Sequence, residues 1–133
     1  MRRSAFLLIA CMASCLGCAK GSDGAARVQV AGSIRMDGKP VAAGRIVFTP
    51  DTKKGNHGTQ GFADISAGSY DTRSGGAGPS PGGNSVKIEA KEGDMLYTYS
   101  AVAEIPADGG AVDFAFKNTE ATKSKVLGSG VGP

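Results

Sequence analysis

Cysteine and histidine are the most reactive side chains of this chain, and their positions limit the chemistry that they can perform. The chain has three cysteines, Cys11, Cys15 and Cys18, and one histidine, His57. A catalytic triad needs a nucleophile, a base and an orienting group in contact, and a zinc site needs about four ligands. His57 lies in a polar segment far from the cysteines along the chain, so we expect neither a catalytic residue nor a bound metal.

Carboxylates are more numerous, but they are scattered. A calcium-binding loop alternates acidic residues within about a dozen positions, and the chain has no Asp-x-Asp-x-Asp run. The glycines of residues 75–83 precede no Gly-Lys-Ser or Gly-Lys-Thr, so they do not indicate a phosphate-binding loop. We therefore predict no cofactor. We assign the following acidic residues to solvated strand faces and turns: Asp64, Asp71, Glu89, Glu92, Asp94, Asp108 and Asp113.

Two tyrosines have the spacing of neighbours on one face of a strand. Tyr97 and Tyr99 are two residues apart, so their side chains point to the same side of an extended chain. Together they can form a small aromatic surface for a sugar or a protein. Alternate tyrosines also occur at the edge of a hydrophobic core, and the sequence leaves both interpretations open.

Residues 1–17 have the three parts of a secretory signal peptide. Two arginines are followed by a short apolar run, and small residues precede Cys18. A membrane-spanning helix needs roughly 20 apolar residues, and this stretch is shorter. We predict that residues 1–17 are removed on export and that residues 18–27, which are mostly small and polar, form a flexible tether.

The end of this stretch, Leu16-Gly17-Cys18, resembles the lipobox of bacterial lipoproteins. The resemblance implies that the Cys18 thiol is diacylated and that the new amino terminus also carries a fatty acid such as palmitate. It also implies a protein anchored to a membrane of the bacterial cell envelope. Ala19 rather than Asp after the cysteine favours the outer membrane, with the body on its periplasmic or surface face.

Other interpretations of this segment remain open. Two further stretches are passable lipoboxes, Leu8-Ile9-Ala10-Cys11 and Met12-Ala13-Ser14-Cys15, although cleavage at either leaves an apolar stub on the mature chain. Cys15 also stands where a lipobox ending at Cys18 usually has Leu. The remaining alternatives are an uncleaved anchor and cleavage without lipid attachment.

Composition limits the class of domain and of partner. The chain has 133 residues with 21 glycines, 6 prolines and no tryptophan, which suits short strands joined by turns. The formal net charge is +3, and two of the positive charges belong to the predicted signal peptide. No basic run is longer than Lys53-Lys54, so we expect no nucleic-acid partner. The expected partners are the membrane, through the lipid, and an envelope protein or polysaccharide.

Alternation of apolar and polar residues predicts strands throughout the exported part. Clear examples are Val28, Val30, Ile34 and Met36 near its start and Val112, Phe114 and Phe116 near its end. About seven such segments, separated by Gly or Pro, predict an all-β fold with a single antiparallel β-sandwich over residues 28–117. We predict a flexible loop over residues 73–84 and a flexible tail over residues 118–133.

Residues 30–50 read VAGSIRMDGKPVAAGRIVFTP and resemble the opening of carboxypeptidase regulatory-like domains. More closely, they are similar to small bacterial lipoproteins built from one such domain. Gly68-Ser69-Tyr70 matches the Gly-x-Tyr strand of the family, and the stretch from Pro81-Gly82 to Val86-Lys87-Ile88 is similar to a later strand. The resemblance covers roughly residues 28–117 and implies a transthyretin-like or immunoglobulin-like sandwich.

The resemblance implies a non-enzymatic role, because these domains usually serve as folding, spacing or interaction modules. The transthyretin-like hydroxyisourate hydrolases rely on several histidines and a Tyr-Arg-Gly-Ser ending, whereas this chain has one histidine and ends in Gly-Ser-Gly-Val-Gly-Pro. We therefore expect a scaffold or interaction module. The alternatives are a carbohydrate- or small-ligand-binding module that uses Tyr97 and Tyr99, and an accessory subunit of an envelope enzyme.

Overall fold

A computed structural model describes residues 26–126. The predictions for residues 1–17, for Cys18, for most of the tether (residues 18–25) and for residues 127–133 of the tail lie outside this range. The strands are β1 (Val30–Met36), β2 (Lys39–Pro40), β3 (Ala43–Pro50), β4 (Gly61–Ser66), β5 (Ser69–Asp71), β6 (Gly76–Ala77), β7 (Gly82–Glu92), β8 (Met95–Ile105), β9 (Gly110–Ala111), β10 (Phe114–Phe116) and β11 (Thr122–Lys125). The helical segments are a 3-10 turn at Thr52–Lys54, helix α1 at Thr72–Gly75 and a second 3-10 turn at Asn118–Glu120.

The strands form one curled sheet, and the all-β prediction is confirmed. The order across the sheet is β10-β1-β5-β4-β3-β7-β8-β11, with β2, β6 and β9 as short side pairings. All pairings are antiparallel except those of β1 with β9 and β10. The strands on this path are joined by hydrogen bonds without a break. The predicted sandwich of two sheets, with about seven strands in all, therefore stays a prediction.

Tight turns set the register of three hairpins. Asp37 and Gly38 both have positive φ, as do Ala67 and Gly68, which is the signature of a type I′ turn. Gly93 has positive φ at the first position of the two-residue β7–β8 turn. Such turns match the right-handed twist of the strands that they join.

The core lies inside the curl, and it brings the two ends of the sheet together. Its largest fully buried apolar side chains include Phe48, Ile34, Ile46 and Ile88. Tyr99 of β8 stacks on Phe116 of β10, with ring centroids 4.5 Å apart and ring planes 5° apart. Strands from opposite ends of the hydrogen-bonded path therefore pack face to face.

Within residues 118–126, the structure differs from the prediction of a flexible tail over residues 118–133. Thr122–Lys125 forms β11, which pairs with residues 95–98 of β8, and the Val126 N–H donates to the Asp94 carbonyl at 2.8 Å. All four residues of β11 are exposed. A strand that buries neither face lacks the apolar alternation by which strands are recognised in a sequence.

The predicted loop over residues 73–84 also differs from the structure, because most of it is packed. It contains part of α1, all of β6 and the start of β7. Pro79 and Ser80 are buried. A Cβ atom at Gly76 would overlap the carbonyl oxygen of Phe62, and one at Gly78 would overlap that of Val28. Here glycine permits close approach of backbones.

Tyr70 joins β5 to the segment that precedes β10. Its hydroxyl donates a hydrogen bond of 2.6 Å to the Val112 carbonyl, and its ring packs in the core against Phe48 and Phe114. Burial raises the pKa of the Tyr70 phenol, and the Asp113 carboxylate raises it further. Because Tyr70 points inward, its neighbours Ser69 and Asp71 point outward.

We expect Ala67→Gly to stabilise the protein by up to about 1 kcal/mol. The αL conformation of Ala67 (φ 49°) costs an L-residue about 1–2 kcal/mol, and the flexibility of glycine in the unfolded chain cancels part of the gain. Urea unfolding measures the change. Gly68→Ala is the matched control, since its Cβ would lie 2.5 Å from the Pro40 Cβ. An equal or higher unfolding midpoint for Gly68→Ala would contradict this account of the turn.

We expect Tyr70→Phe to lower the free energy of unfolding by about 0.5–1.5 kcal/mol, because the part-buried hydrogen bond to the Val112 carbonyl is lost. The loss should shrink at high pH. The unfolded phenol ionises near its ordinary pKa of about 10, while the folded one stays protonated, so the wild-type protein loses stability as pH rises through this region. The Phe variant lacks this contribution. Urea unfolding of both proteins at pH 8 and pH 11 measures these differences. If both proteins lose the same free energy of unfolding between pH 8 and pH 11, the predicted effect of Tyr70 ionisation is refuted.

Candidate functional site

The two tyrosines of the predicted ligand surface lie on β8, and their side chains share the core-facing side of that strand. Both are half-buried and pack against the core. Tyr99 is covered by the ring of Phe116, and the Lys123 ammonium lies 5.8 Å from the centroid of Tyr97. The structure therefore brings the pair together, at the edge of the core.

His57 is exposed in the loop between the first 3-10 turn and β4. No group of three or more potential metal ligands occurs among residues 26–126. Within the same residues, no helix has both the length and the apolar character to cross a membrane.

A polar cleft of about 380 Å³ lies on the outside of the curled sheet, where β1, β5, β4 and α1 meet. The β4–β5 hairpin builds most of it. Ile65 and Tyr70 oppose each other on the core side of this hairpin, and the outward residues on either side of them are polar. The cleft is lined by Ala31, Gly32, Asp64, Ser66, Ser69, Tyr70, Asp71 and Ser74.

The hydrogen bonds around the cleft hold its two carboxylates in place. The Arg45 guanidinium contacts Asp64 Oδ1 through two nitrogens, each at 3.0 Å. Asp71 Oδ1 accepts a 2.9 Å hydrogen bond from the Arg73 backbone N–H and so caps α1. Within residues 26–126, these contacts leave the Oδ2 atom of each carboxylate as an acceptor.

The serines of the cleft add hydroxyl groups to these acceptors. The Ser69 hydroxyl donates to the Ser66 carbonyl at 3.2 Å. The lone pairs of the Ser69 oxygen can still accept a hydrogen bond. Ser66 and Ser74 present further hydroxyls. A hydroxyl both donates and accepts hydrogen bonds, and a carboxylate only accepts. This combination matches ligands that carry many hydroxyl groups.

A second groove, of about 570 Å³, lies beside the β1–β2 turn and β10. Its polar groups are engaged in local structure. Asp37 Oδ1 accepts from the Asn118 N–H at 3.0 Å, and Glu120 Oε2 accepts from the Lys117 N–H at 2.8 Å. Both contacts stabilise the 3-10 turn that leads to β11, so we assign this groove a structural role.

Sequence reasoning treated Asp64 and Asp71 as solvated and did not single out the serines. A signal was available in the segment Asp-Ile-Ser-Ala-Gly-Ser-Tyr-Asp, residues 64–71, which is nearly symmetric about Ala67-Gly68. A two-residue turn there puts the polar residues of both strands on one face. The turn type predicts the polar face of this hairpin, and the tertiary structure adds β1 and α1 to complete the cleft.

No family model matches the chain, and a search of curated proteins finds no significant match.

Proposed function

We propose that this protein is a non-enzymatic lipoprotein of the bacterial cell envelope, an all-β interaction module tethered through Cys18. The observation that carries the proposal is the order of the segments: two arginines, a short apolar run, a cysteine, a polar stretch and then a β-rich body. Each buried methylene of an acyl chain contributes about 0.8 kcal/mol, so two or three chains suffice for stable anchoring.

The contacts of the first described residues show where the tether joins the body. Arg27 donates to the carbonyls of Gln60 and Gly78 at 3.0 and 2.8 Å, and the Val28 N–H donates to the Pro79 carbonyl at 2.9 Å. The chain thus enters at the end of the sheet that carries the loop of Lys53 and Lys54. We propose that this end faces the membrane and that the hairpin turns at the opposite end face away.

The carboxypeptidase regulatory-like relationship remains part of the proposal, together with a transthyretin-like sandwich. Two features of the body support it. The Asp37-Gly38 turn joins β1 and β2 as the family pattern requires, and the inner faces of β8 and β10 meet across the core. An accessory role beside an envelope enzyme is compatible with the same architecture, with the partner bound through the exposed surface.

Binding of a carbohydrate is the second candidate function, and the polar cleft favours it. Its hydroxyls and free carboxylate oxygens are the groups that commonly bind sugar hydroxyls, and the exposed ring of Phe62 lies on the same outer side of the sheet under the Arg45 guanidinium. Tyr97 and Tyr99 stay an alternative surface for such a ligand.

We expect Cys18→Ala to abolish incorporation of radiolabelled palmitate and to release the protein from the membrane fraction. Cys11→Ala and Cys15→Ala are the matched controls and should keep both label and membrane association, because on this proposal the two residues leave with the signal peptide. Label retained by Cys18→Ala, or lost in either control, would overturn the assignment of the anchor.

We expect Asp71→Asn to weaken binding to envelope polysaccharide about tenfold, since a charge-assisted hydrogen bond contributes about 1.5–3 kcal/mol. Asparagine keeps the α1 cap, so the fold is preserved. Tyr97→Phe is the control and should bind normally. Co-sedimentation with purified polysaccharide gives the readout. If Asp71→Asn binds like the parent and Tyr97→Phe does not bind, the polysaccharide binds at the tyrosines and not in the polar cleft.

A further inference from the structure

Strand β8 is covered along only part of one edge. On one side, Met95 to Ile105 pair with β7 along the whole strand. On the other side, β11 pairs with residues 95–98 alone. Within residues 26–126, the edge of β8 from residue 99 to residue 105 therefore has no neighbouring strand.

The β7–β8 turn shows which backbone groups point toward this open edge. A two-residue hairpin turn closes on a hydrogen-bonded pair, here Glu92 and Met95, and hydrogen-bonded pairs then recur at every second residue. Odd-numbered residues of β8 thus bond to β7. The N–H and C=O groups of Ser100, Val102 and Glu104 are directed outward, where a further strand can bind them.

This edge has few of the devices that usually prevent strands from pairing between molecules. Such devices are prolines, charged side chains and bulges, and residues 99–105, Tyr-Ser-Ala-Val-Ala-Glu-Ile, contain one of them, Glu104 near one end. At its centre, Val102 is 69% exposed, against 37% for Phe62 and for Val126, the other exposed large apolar residues of the described chain. An exposed valine on an open edge is a favourable place for strand addition.

Val102 is the midpoint of the open edge and one of the residues whose backbone groups point outward. Thr98, paired with Thr122, closes it on one side, and Pro106, where the chain turns so that the Gly109 N–H donates to the Pro106 carbonyl, closes it on the other. Val102 lies four residues from each limit. A two-fold axis through Val102 therefore places the open stretch of one molecule against the same stretch of another, running antiparallel.

The side chains suit this register. Val102 opposes Val102 of the second copy, and Ser100 opposes Glu104 of the second copy, so no like charges face each other. Ala101 opposes Ala103 of the second copy, and these small residues allow the strands to approach. Each outward pair exchanges two backbone hydrogen bonds. In this register a second copy covers the whole open stretch, pairs outward-directed backbone groups with outward-directed groups, and sets no charge against a like charge.

We propose that two copies of this protein associate through antiparallel pairing of their β8 strands, centred on Val102, to extend the curled sheet across the dimer. The exposed valine becomes a cross-strand pair, and the open backbone groups of Ser100, Val102 and Glu104 are satisfied. The pairing is independent of lipid attachment, because it uses residues of the β body alone.

Cysteine crosslinking of the full chain in the membranes of the producing cells tests this proposal. Mild oxidation of Val102→Cys should give a reducible dimer, since opposed Cα atoms lie about 5.5 Å apart, within disulfide reach. Ser100→Cys should not crosslink to itself, because its counterpart lies about 13 Å away along the strands. Mixed Ser100→Cys and Glu104→Cys chains should crosslink. The parent chain, with its native cysteines, gives the background.

Val102→Lys separates pairing from folding. Val102 is 69% exposed, so this variant should keep the circular-dichroism spectrum of the parent. Placed in both chains of the mixed Ser100→Cys and Glu104→Cys pair, it should reduce disulfide crosslinking at least fivefold, because two ammonium groups then oppose each other. Val102→Thr in both chains should leave this crosslinking unchanged. Equal crosslinking of Ser100→Cys and Val102→Cys, adducts with a different protein, or monomer alone would overturn the proposal. None of these outcomes bears on palmitate labelling, so the anchor and the dimer are tested separately.

Discussion

The whole structure depends on burying one face of a single curled sheet. The cysteines of the chain all precede residue 19, so the described body cannot contain a disulfide and is held by apolar packing and hydrogen bonds alone. The stack of Tyr99 on Phe116 closes the curl. Ile34, Ile46 and Ile88 fill the space between the strands. The polar cleft and the open edge of β8 both lie outside this core.

The same packing accounts for the polar cleft. Tyr70 and Ile65 face the core because their rings and methyl groups gain most from burial, and the alternation of a strand then directs Ser69, Asp71 and Asp64 to the other side. The Tyr70 hydroxyl fixes β5 against the Val112 carbonyl. This part-buried hydrogen bond and the packing of the Tyr70 ring therefore position the strand whose outward residues line the cleft.

Anchoring, ligand binding and association use separate parts of the body in these proposals. The chain enters beside Gly78 and Pro79 at one end of the sheet. The cleft lies on the outer side of β4 and β5, and the open edge belongs to β8, on the far side of β3 and β7 in the sheet order. A tethered molecule can thus use its cleft and its edge at the same time.

The all-β class and most of the longer strands follow from the sequence alone, because apolar alternation in β1, β3 and β7 reports directly which residues face the core. Strand β11 could not be predicted from the sequence, because both of its faces are exposed and its residues show no apolar alternation. The glycines of residues 73–84 suggested a loose loop, but only the tertiary structure shows which backbones they approach. The cleft and the open edge of β8 were likewise decided by the curl, because each depends on which strands lie side by side.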